Sequence, residues 1–365
     1  MSEVLVVGAG PYGIGVAQEL WFRGCEPLVV GDPFATWREH TPDGMLLRSD
    51  PKASGIHAPD RRFDFPRYLR RSGAPVDGPI EVGRFREYLQ WVVEELPFTL
   101  RRDLVTRLER VEGGFGAELA GGGRLAVRKV VLATGLGGHA QWPPALAALP
   151  RERVLHSWDV RSVEALAGER VLVVGGGQSA AEAVDVLRVG NRVTWLLRRP
   201  PFFFREPLRV PTPLFKTFLA AYGVLYLLPP AVLRRLSAAI FRTTISPYLA
   251  RAWNDPGVER LEADVEALGL AADGPEIRSP GGGSWDRVVA ATGYRTTVGG
   301  LPYLSPQLTA ALGGPDAVPA ASSRFESAVP GLFLVGCLAE PTWGPAMRFI
   351  LGSRQAARAI GRAIA

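Results

Sequence analysis

The sequence predicts an α/β fold made of two parallel-sheet units, one inserted in the other. Three observations predict it. Residues 4–7 form a short Val and Leu run that ends in Gly8-Ala9-Gly10-Pro11-Tyr12-Gly13 and continues as an apolar helix over 14–22. The same order recurs at 171–174, at Gly175-Gly176-Gly177-Gln178-Ser179-Ala180, and at 181–188. Each turn is followed at long range by an apolar strand that runs into Ala-Thr-Gly, at 133–135 and at 291–293. Strand, tight turn and helix mark a βαβ unit, and their recurrence over spans of similar length implies two related units.

The remaining elements follow in order. In the first half a second strand is expected at 27–30, an alternating stretch at 105–119, a glycine hairpin at 121–123 and an apolar strand at 129–132. In the second half their counterparts are a strand at 192–197, a second meander over 261–277 with Gly281-Gly282-Gly283, and a strand at 288–290. The C-terminal stretch reads as a strand at 332–335, a Pro and Gly loop at 340–345 and a helix from Ala346 to the end, returning to complete the first unit. Residues 1–144 and 291–365 then form one domain and 145–290 the other, with the crossings at 141–144 and 293–300.

Composition narrows the class. Apolar residues make up 47% and charged residues 21% of 365, enough for two cores and unlike a disordered or collagen-like chain. Cys25 and Cys337 are the only cysteines, which removes a disulfide framework, a zinc ribbon and a paired-thiol redox centre. No cluster of metal ligands is expected. A strand beginning at residue 4 leaves no room for a leader peptide. The longest apolar run, 218–233, contains Pro229 and Pro230 and falls short of the ~20 residues a spanning helix needs. A cytoplasmic location is the expectation.

The glycine turns carry the chemistry. In each, the first glycine permits the tight turn, the second lets a pyrophosphate approach the backbone, and the third position, Gly13 or Ala180, lets helix pack on strand. The helix N-terminus then faces the anion with free N–H groups. The residue ending the second strand discriminates between dinucleotides, because an acid binds ribose hydroxyls and an arginine accepts a 2′-phosphate. Twenty-three residues after Gly175 stands Arg198, followed by Arg199, so NADPH is expected there. The same count from Gly8 reaches Gly31, with Asp32 one residue later; Asp32 is the ribose candidate. Two dinucleotides in one chain point to a held redox cofactor and a diffusible hydride donor, FAD and NADPH. The expected architecture is therefore two Rossmann-like dinucleotide-binding domains, the NADPH domain inserted in the FAD domain.

At this point the residues resemble the class B flavin-dependent monooxygenases, the N-hydroxylating, Baeyer–Villiger and flavin-containing monooxygenase group. The resemblance rests on Gly8 to Gly13, Thr36-Trp37-Arg38, Gly44 to Ser49, Gly175 to Glu182, Ala291-Thr292-Gly293-Tyr294 and Gly344 to Gly352. The Gly-Gly-Gly-Gln-Ser-Ala turn looks like that of the N-hydroxylating branch. The resemblance implies a cycle in which NADPH reduces FAD, the reduced flavin captures O2 as a peroxide adduct, and oxygen passes to a small-molecule substrate. It implies FAD contacts at Gly8, Gly10, Pro11, Tyr12, Gly13, Asp32, Trp37, Met45, Thr134, Gly135, Gly336, Pro345 and Met347. It implies NADPH contacts at Gly175, Gly177, Gln178, Ser179, Ala180, Arg198, Arg199, Thr292, Gly293 and Tyr294. Arg48, Ser49 and His57 are the flavin-proximal catalytic candidates. Of the group's F-x-G-x-x-x-H-x-x-x-W/Y fingerprint only His156 survives, with Pro150, Glu152 and Val160 at the other places; His156 is a candidate linker contact or a buried, hydrogen-bonded histidine.

The formal charge of +6 is uneven: residues 192–251 hold ten Arg or Lys against one acid, a local +9, and the rest is −3. Beyond the NADPH arginines, an inserted basic and aromatic helical segment at about 200–251 admits three readings: a packed helical layer with a solvated rim, a substrate lid or channel, and a peripheral membrane or quinone-access surface. No nucleic-acid motif accompanies the charge. The leading expectation is an NADPH-dependent FAD monooxygenase acting on an amine nitrogen or another soft nucleophile. The alternatives are a quinone or electron-carrier reductase docking through 200–251, and a flavin-binding protein without turnover.

Overall fold

A computed structural model describes residues 2–76, 78–203, 227–229, 231–233, 235, 237, 245–272 and 274–365. Most of the basic and aromatic helical segment expected at about 200–251 lies outside the described residues.

Two sheets organise the chain. The first runs β3-β2-β1-β6-β5-β4, where β1 is Ser2–Val7, β2 Pro27–Val30, β3 Leu100–Arg101, β4 Val105–Val111, β5 Gly114–Leu119 and β6 Arg124–Leu132. β1 pairs in parallel with β2 and β6, and β2 with β3, while β4, β5 and β6 form an antiparallel meander. Val4, Leu5, Val6 and Val7 are all buried, which is why β1 is a continuous apolar run rather than an alternating one. The second sheet runs β10-β9-β8-β13-β7, with β7 at Val154–His156, β8 Arg170–Val174, β9 Arg192–Leu197, β10 Glu259–Glu262 and β13 Arg287–Ala290. All its pairings are parallel. Val171 and Val173 pack into one core and Leu172 and Val174 into another, so both faces of β8 are covered. The chain then returns: β14, Leu332–Leu334, pairs in parallel with the second half of β6.

Helix α1 (Pro11–Phe22) starts with proline at its first position, where the ring's missing N–H costs nothing. Helix α2 (Val82–Glu94) buries Phe85, Tyr88, Leu89 and Val92, the i, i+3, i+4, i+7 stripe of a helix on a core. Helix α3 (Gln178–Leu187) follows the second glycine turn, and α4 (Ser353–Ile364) packs on α1 through Ala356, Ala357, Ile360 and Ile364. The contact is close: a Cβ on Gly361 would stand 2.5 Å from Glu19 Cγ.

Two expectations change. The helix expected from Ala346 begins at Ser353, and Glu340–Trp343, expected as loop, is a helical turn. Two short 3-10 turns, Pro345–Arg348 and Ile350–Gly352, intervene. The Tyr12 hydroxyl holds them, donating to the carbonyls of Phe349 at 2.9 Å and Ala346 at 3.2 Å, which diverts those carbonyls from a helical ladder. The second meander is also absent as such: β10 is a parallel strand and β11 (Ile277–Arg278) with β12 (Ser284–Trp285) makes a separate two-residue hairpin. A turn at Glu266–Leu268 closed by left-handed Gly269 (φ +57°) interrupts the alternation.

The two crossings between the sheets run side by side. Ala140 bridges antiparallel to Tyr294, and Gln141 N–H donates to the Gly293 carbonyl at 2.9 Å.

Candidate functional site

A cavity of about 420 Å³ opens where the C-terminal ends of β1 and β2 meet the N-terminus of α1. Gly8, Gly10, Pro11 and Tyr12 line it, so the first-turn N–H groups of α1 face the space, as anion binding requires. A Cβ on Gly8 (φ +105°) would stand 2.4 Å from the Ala133 carbonyl oxygen, and one on Gly13 1.9 Å from that of Gly8. Positions 8 and 13 therefore accept glycine only, and Gly13 lies behind the cavity, packing helix on strand. Gly31 explains the displaced acid: a Cβ there would meet Ala9 N at 2.7 Å, so the register position must be bare and Asp32 takes the cavity face one residue later. Asp32 lines the cavity and its carboxylate pairs with Arg38 at 2.5 Å.

Its wall draws on two parts of the chain: Asp32 after β2 with Asp103, Leu104 and Val105 after β3, and Leu136 after β6 with Cys337 and Met347 to Ile350; Trp37, Thr134, Gly135, Tyr303 and Gly336 also line it. Trp37 is set edge-on against Phe85 at 4.8 Å. Thr134 and Tyr303 share a hydroxyl contact of 3.3 Å. The Cys337 thiol donates to the Gly135 carbonyl at 3.0 Å, and burial pushes it up to about 12, so it remains a thiol rather than a nucleophilic thiolate. Asp103 to Val105, Leu136, Tyr303, Cys337 and Ile350 were not among the expected contacts. They come from chain segments far apart, and only proximity to the Ala-Thr-Gly and Gly344 to Gly352 motifs hinted at Leu136 and Ile350.

Besides Gly13, five expected residues stand elsewhere. Met45, Pro345, Arg48 and Ser49 do not line the cavity; Met45 and its neighbours bridge to the loop before α2, with Val82 N–H donating to the Met45 carbonyl at 2.8 Å. Burial holds the Arg48 guanidinium below its usual range. His57, expected beside the flavin, is buried against α1, with Nε2 2.8 Å from Glu19 Oε2. Burial lowers its basicity and the imidazole and Arg23 keep Glu19 ionised; a neutral ring donating Nε2–H to the carboxylate satisfies both. His57 and Glu19 thus satisfy one another away from the cavity lining.

At the second turn, a Cβ on Gly175 (φ +142°) would stand 2.2 Å from the Ala291 carbonyl oxygen, the same constraint as at Gly8. Gly177 caps α3 and Ala180 is fully buried against β8. Ser179 sits half-buried in the first turn, and Arg198 and Arg199 are exposed at the end of β9. Gln178 is turned inward: its amide donates to Glu182 Oε1 at 2.7 Å and its carbonyl accepts the Ser246 N–H at 2.8 Å. Thr292, Gly293 and Tyr294 belong to the crossing. The Thr292 hydroxyl donates to the Gln141 carbonyl at 2.5 Å, and Tyr294 is packed edge-on against His156 and Trp158. His156 is a buried ring whose Nδ1 accepts the Trp158 N–H at 3.0 Å.

The two units also meet directly. His40 stacks on Trp158 at 4.0 Å, Arg161 donates to the Arg38 carbonyl at 2.5 Å, and the Tyr248 hydroxyl accepts the Leu46 N–H at 3.3 Å. Among the described residues no helix is long and apolar enough to cross a membrane, and no group of three or more acidic, His or Cys side chains could hold a metal ion.

Comparison with known proteins agrees with this architecture. The chain is 29% identical over 342 residues to an FAD-dependent urate hydroxylase of Xanthomonas campestris, covering 85% of this chain and 68% of that protein. It is 31% identical over 208 residues to a ferredoxin–NADP reductase of Cupriavidus taiwanensis, where it spans about half of the relative, 54%, and 55% of itself. The reduced ornithine hydroxylase of Pseudomonas aeruginosa superposes with a TM-score of 0.75 at 18% identity over 100% of this chain and 98% of that one; the fold is that of the flavin monooxygenases. Residues 5–212 match the profile of the pyridine nucleotide-disulphide oxidoreductases. That match spans more than half of the chain and places it: it belongs to the pyridine nucleotide-disulphide oxidoreductases and is a flavin-dependent oxidoreductase with FAD and NADPH as cofactors.

Proposed function

We propose that the chain is an NADPH-dependent monooxygenase that oxygenates a small molecule at FAD held in the first cavity. In this reading residues 1–144 and 291–365 hold FAD and 145–290 hold NADPH. The observation that carries the proposal is the cavity's sulfur content: Cys337 is its single thiol, held as a donor to Gly135, and the only other cysteine, Cys25, does not line it. A disulfide substrate relay within the chain is thus excluded, and electrons must leave for O2 or an external acceptor.

Gly8, Gly10 and the α1 N-terminus would bind the FAD pyrophosphate, and Asp32 the adenosine ribose, which sends the flavin to the Leu136, Cys337 and Met347–Ile350 part of the wall. FAD supplies the two-electron and oxygen chemistry when bound. Arg348 lines that part with Glu340 at 3.6 Å, so a guanidinium with its counterion faces the place where reduction adds negative charge. At the second turn Gly175, Gly177 and Ser179 would take the NADPH pyrophosphate, and Arg198 with Arg199 its 2′-phosphate. The Gly-Gly-Gly-Gln-Ser-Ala form of that turn supports an amine nitrogen or another soft nucleophile as substrate. The similarity to ferredoxin–NADP reductases over half the chain favours a second reading, reduction of an electron carrier.

Anaerobic reduction by NADPH followed by rapid mixing with O2 separates the two. A long-lived, spectrally distinct species before oxidised flavin returns is the expected result. Immediate return to oxidised flavin with stoichiometric hydrogen peroxide, together with fast turnover on ferredoxin or quinones, sinks the monooxygenase. Arg198→Ala should weaken NADPH, and leave NADH unchanged, by roughly ten-fold to a hundred-fold, the loss of one charge-assisted contact.

A further inference from the structure

A continuous set of hydrogen bonds joins the second glycine turn to the first unit. The Gln178 amide donates to Glu182 Oε1 at 2.7 Å, the Tyr248 hydroxyl donates to the same oxygen at 2.5 Å, and the Leu46 N–H donates to the Tyr248 oxygen at 3.3 Å. One end is the turn read above as the NADPH site; the other is the segment 44–49, which follows Trp37 of the flavin cavity. Glu182 is buried, so its carboxylate has given up water for these two donors.

We propose that Glu182 and Tyr248 are positioning residues for hydride transfer: Glu182 fixes the Gln178 amide in the NADPH turn, and Tyr248 fixes that turn's helix relative to segment 44–49 of the flavin unit. The proposal rests on the cofactor assignment above. Neither residue touches a reacting atom; each sets the angle and distance at which the nicotinamide meets the flavin, where an error of about 1 Å is costly.

The charge state of Glu182 decides whether the link holds. A carboxylate accepts both bonds on Oε1 at full strength, while a carboxylic acid keeps only a neutral acceptor there. Burial raises Glu182 to about 7, and the Asp185 carboxylate adds to the rise, while the Tyr248 hydroxyl, the Gln178 amide and the Arg251 guanidinium oppose it. Arg251 is itself engaged with Asp185 at 2.5 Å, and from the first unit the Leu46 N–H reaches this link. The active form is the carboxylate, so flavin reduction should slow as pH falls through about 7.

The test is anaerobic stopped-flow reduction of the FAD holoenzyme by NADPH, from pH 5.5 to 8.5, for wild type, Tyr248→Phe and Glu182→Gln. Wild type should show a step near pH 7 in the limiting rate. Tyr248→Phe should lower that rate roughly ten-fold with FAD content, melting temperature and NADP+ affinity near wild type. Glu182→Gln should abolish the pH step and hold the rate at its low-pH value. A limiting rate and pH profile unchanged in both variants overturns the positioning role. A fall in NADP+ affinity alone, with the limiting rate intact, also overturns it, because the pair would then only bind. Failure of the cofactor assignment reads differently: wild-type FAD would not be reduced by NADPH at any pH, or Arg198→Ala would leave NADPH affinity unchanged.

Discussion

His57 and Glu19 form a buried pair outside the cavity lining, and the pair predicts a loss that is structural. His57→Ala should cost about 2–4 kcal/mol through a lost hydrogen bond to a buried carboxylate and a void beneath Gly15, seen as a lower denaturant midpoint, with the rate of flavin reduction per bound FAD unaltered. The pH dependence follows from the directions. His57 is held below 6.5 and Glu19 below 4.5, so the stability each lends is present above its unfolded value and is lost as pH falls, first below about 6.5 and then below about 4.5. Glu182 works oppositely. Raised from 4.5 to about 7, it binds its proton more tightly in the folded state, so stability declines as pH rises from 4.5 to 7, by an amount on the order of 3 kcal/mol. Glu182→Gln should remove that decline, measurable as a flatter plot of unfolding free energy against pH.

Among elements, the glycine turns were the most legible part of the sequence, because the signal is local: β1 and β8 are unbroken apolar runs, and each turn needs residues without a Cβ at fixed places. Gly8→Ala and Gly175→Ala separate the two sites. The first drives a methyl against the Ala133 carbonyl and the second against the Ala291 carbonyl. Purified Gly8→Ala protein should lack FAD absorbance, while Gly175→Ala should retain FAD and lose reduction by NADPH. What the sequence did not disclose was set by distant partners. The 3-10 turns before α4 depend on the Tyr12 hydroxyl, more than three hundred residues away. Asp103, Leu104 and Val105 reach the cavity because β3 pairs with β2, a register no motif announces. Glu182 belongs to the second glycine-turn motif, but its bond from the Tyr248 hydroxyl, 66 residues on, is announced by none.

For the whole molecule, the first sheet is closed by residues from both ends of the chain: β14 pairs with β6, and α4 covers α1. The second sheet draws every strand from 154–290. Deletion of 353–365 should therefore strip the buried face of α1 and abolish FAD retention, while limited proteolysis still yields a protected fragment near 145–290 that binds NADP+. Digestion of that fragment together with the rest would argue that the second sheet cannot stand alone.

The paired crossing at Ala140 and Tyr294 has a consequence for synthesis. Chain emerging from the ribosome completes the inserted sheet at Ala290, while the enclosing sheet still lacks β14 and its covering helix. Domains fold as units during synthesis, so the inserted unit should finish first and hold residues 141 and 293 together. The open first sheet then receives its last strand with the long loop already closed, which removes most of the entropy that joining segments so far apart would otherwise cost.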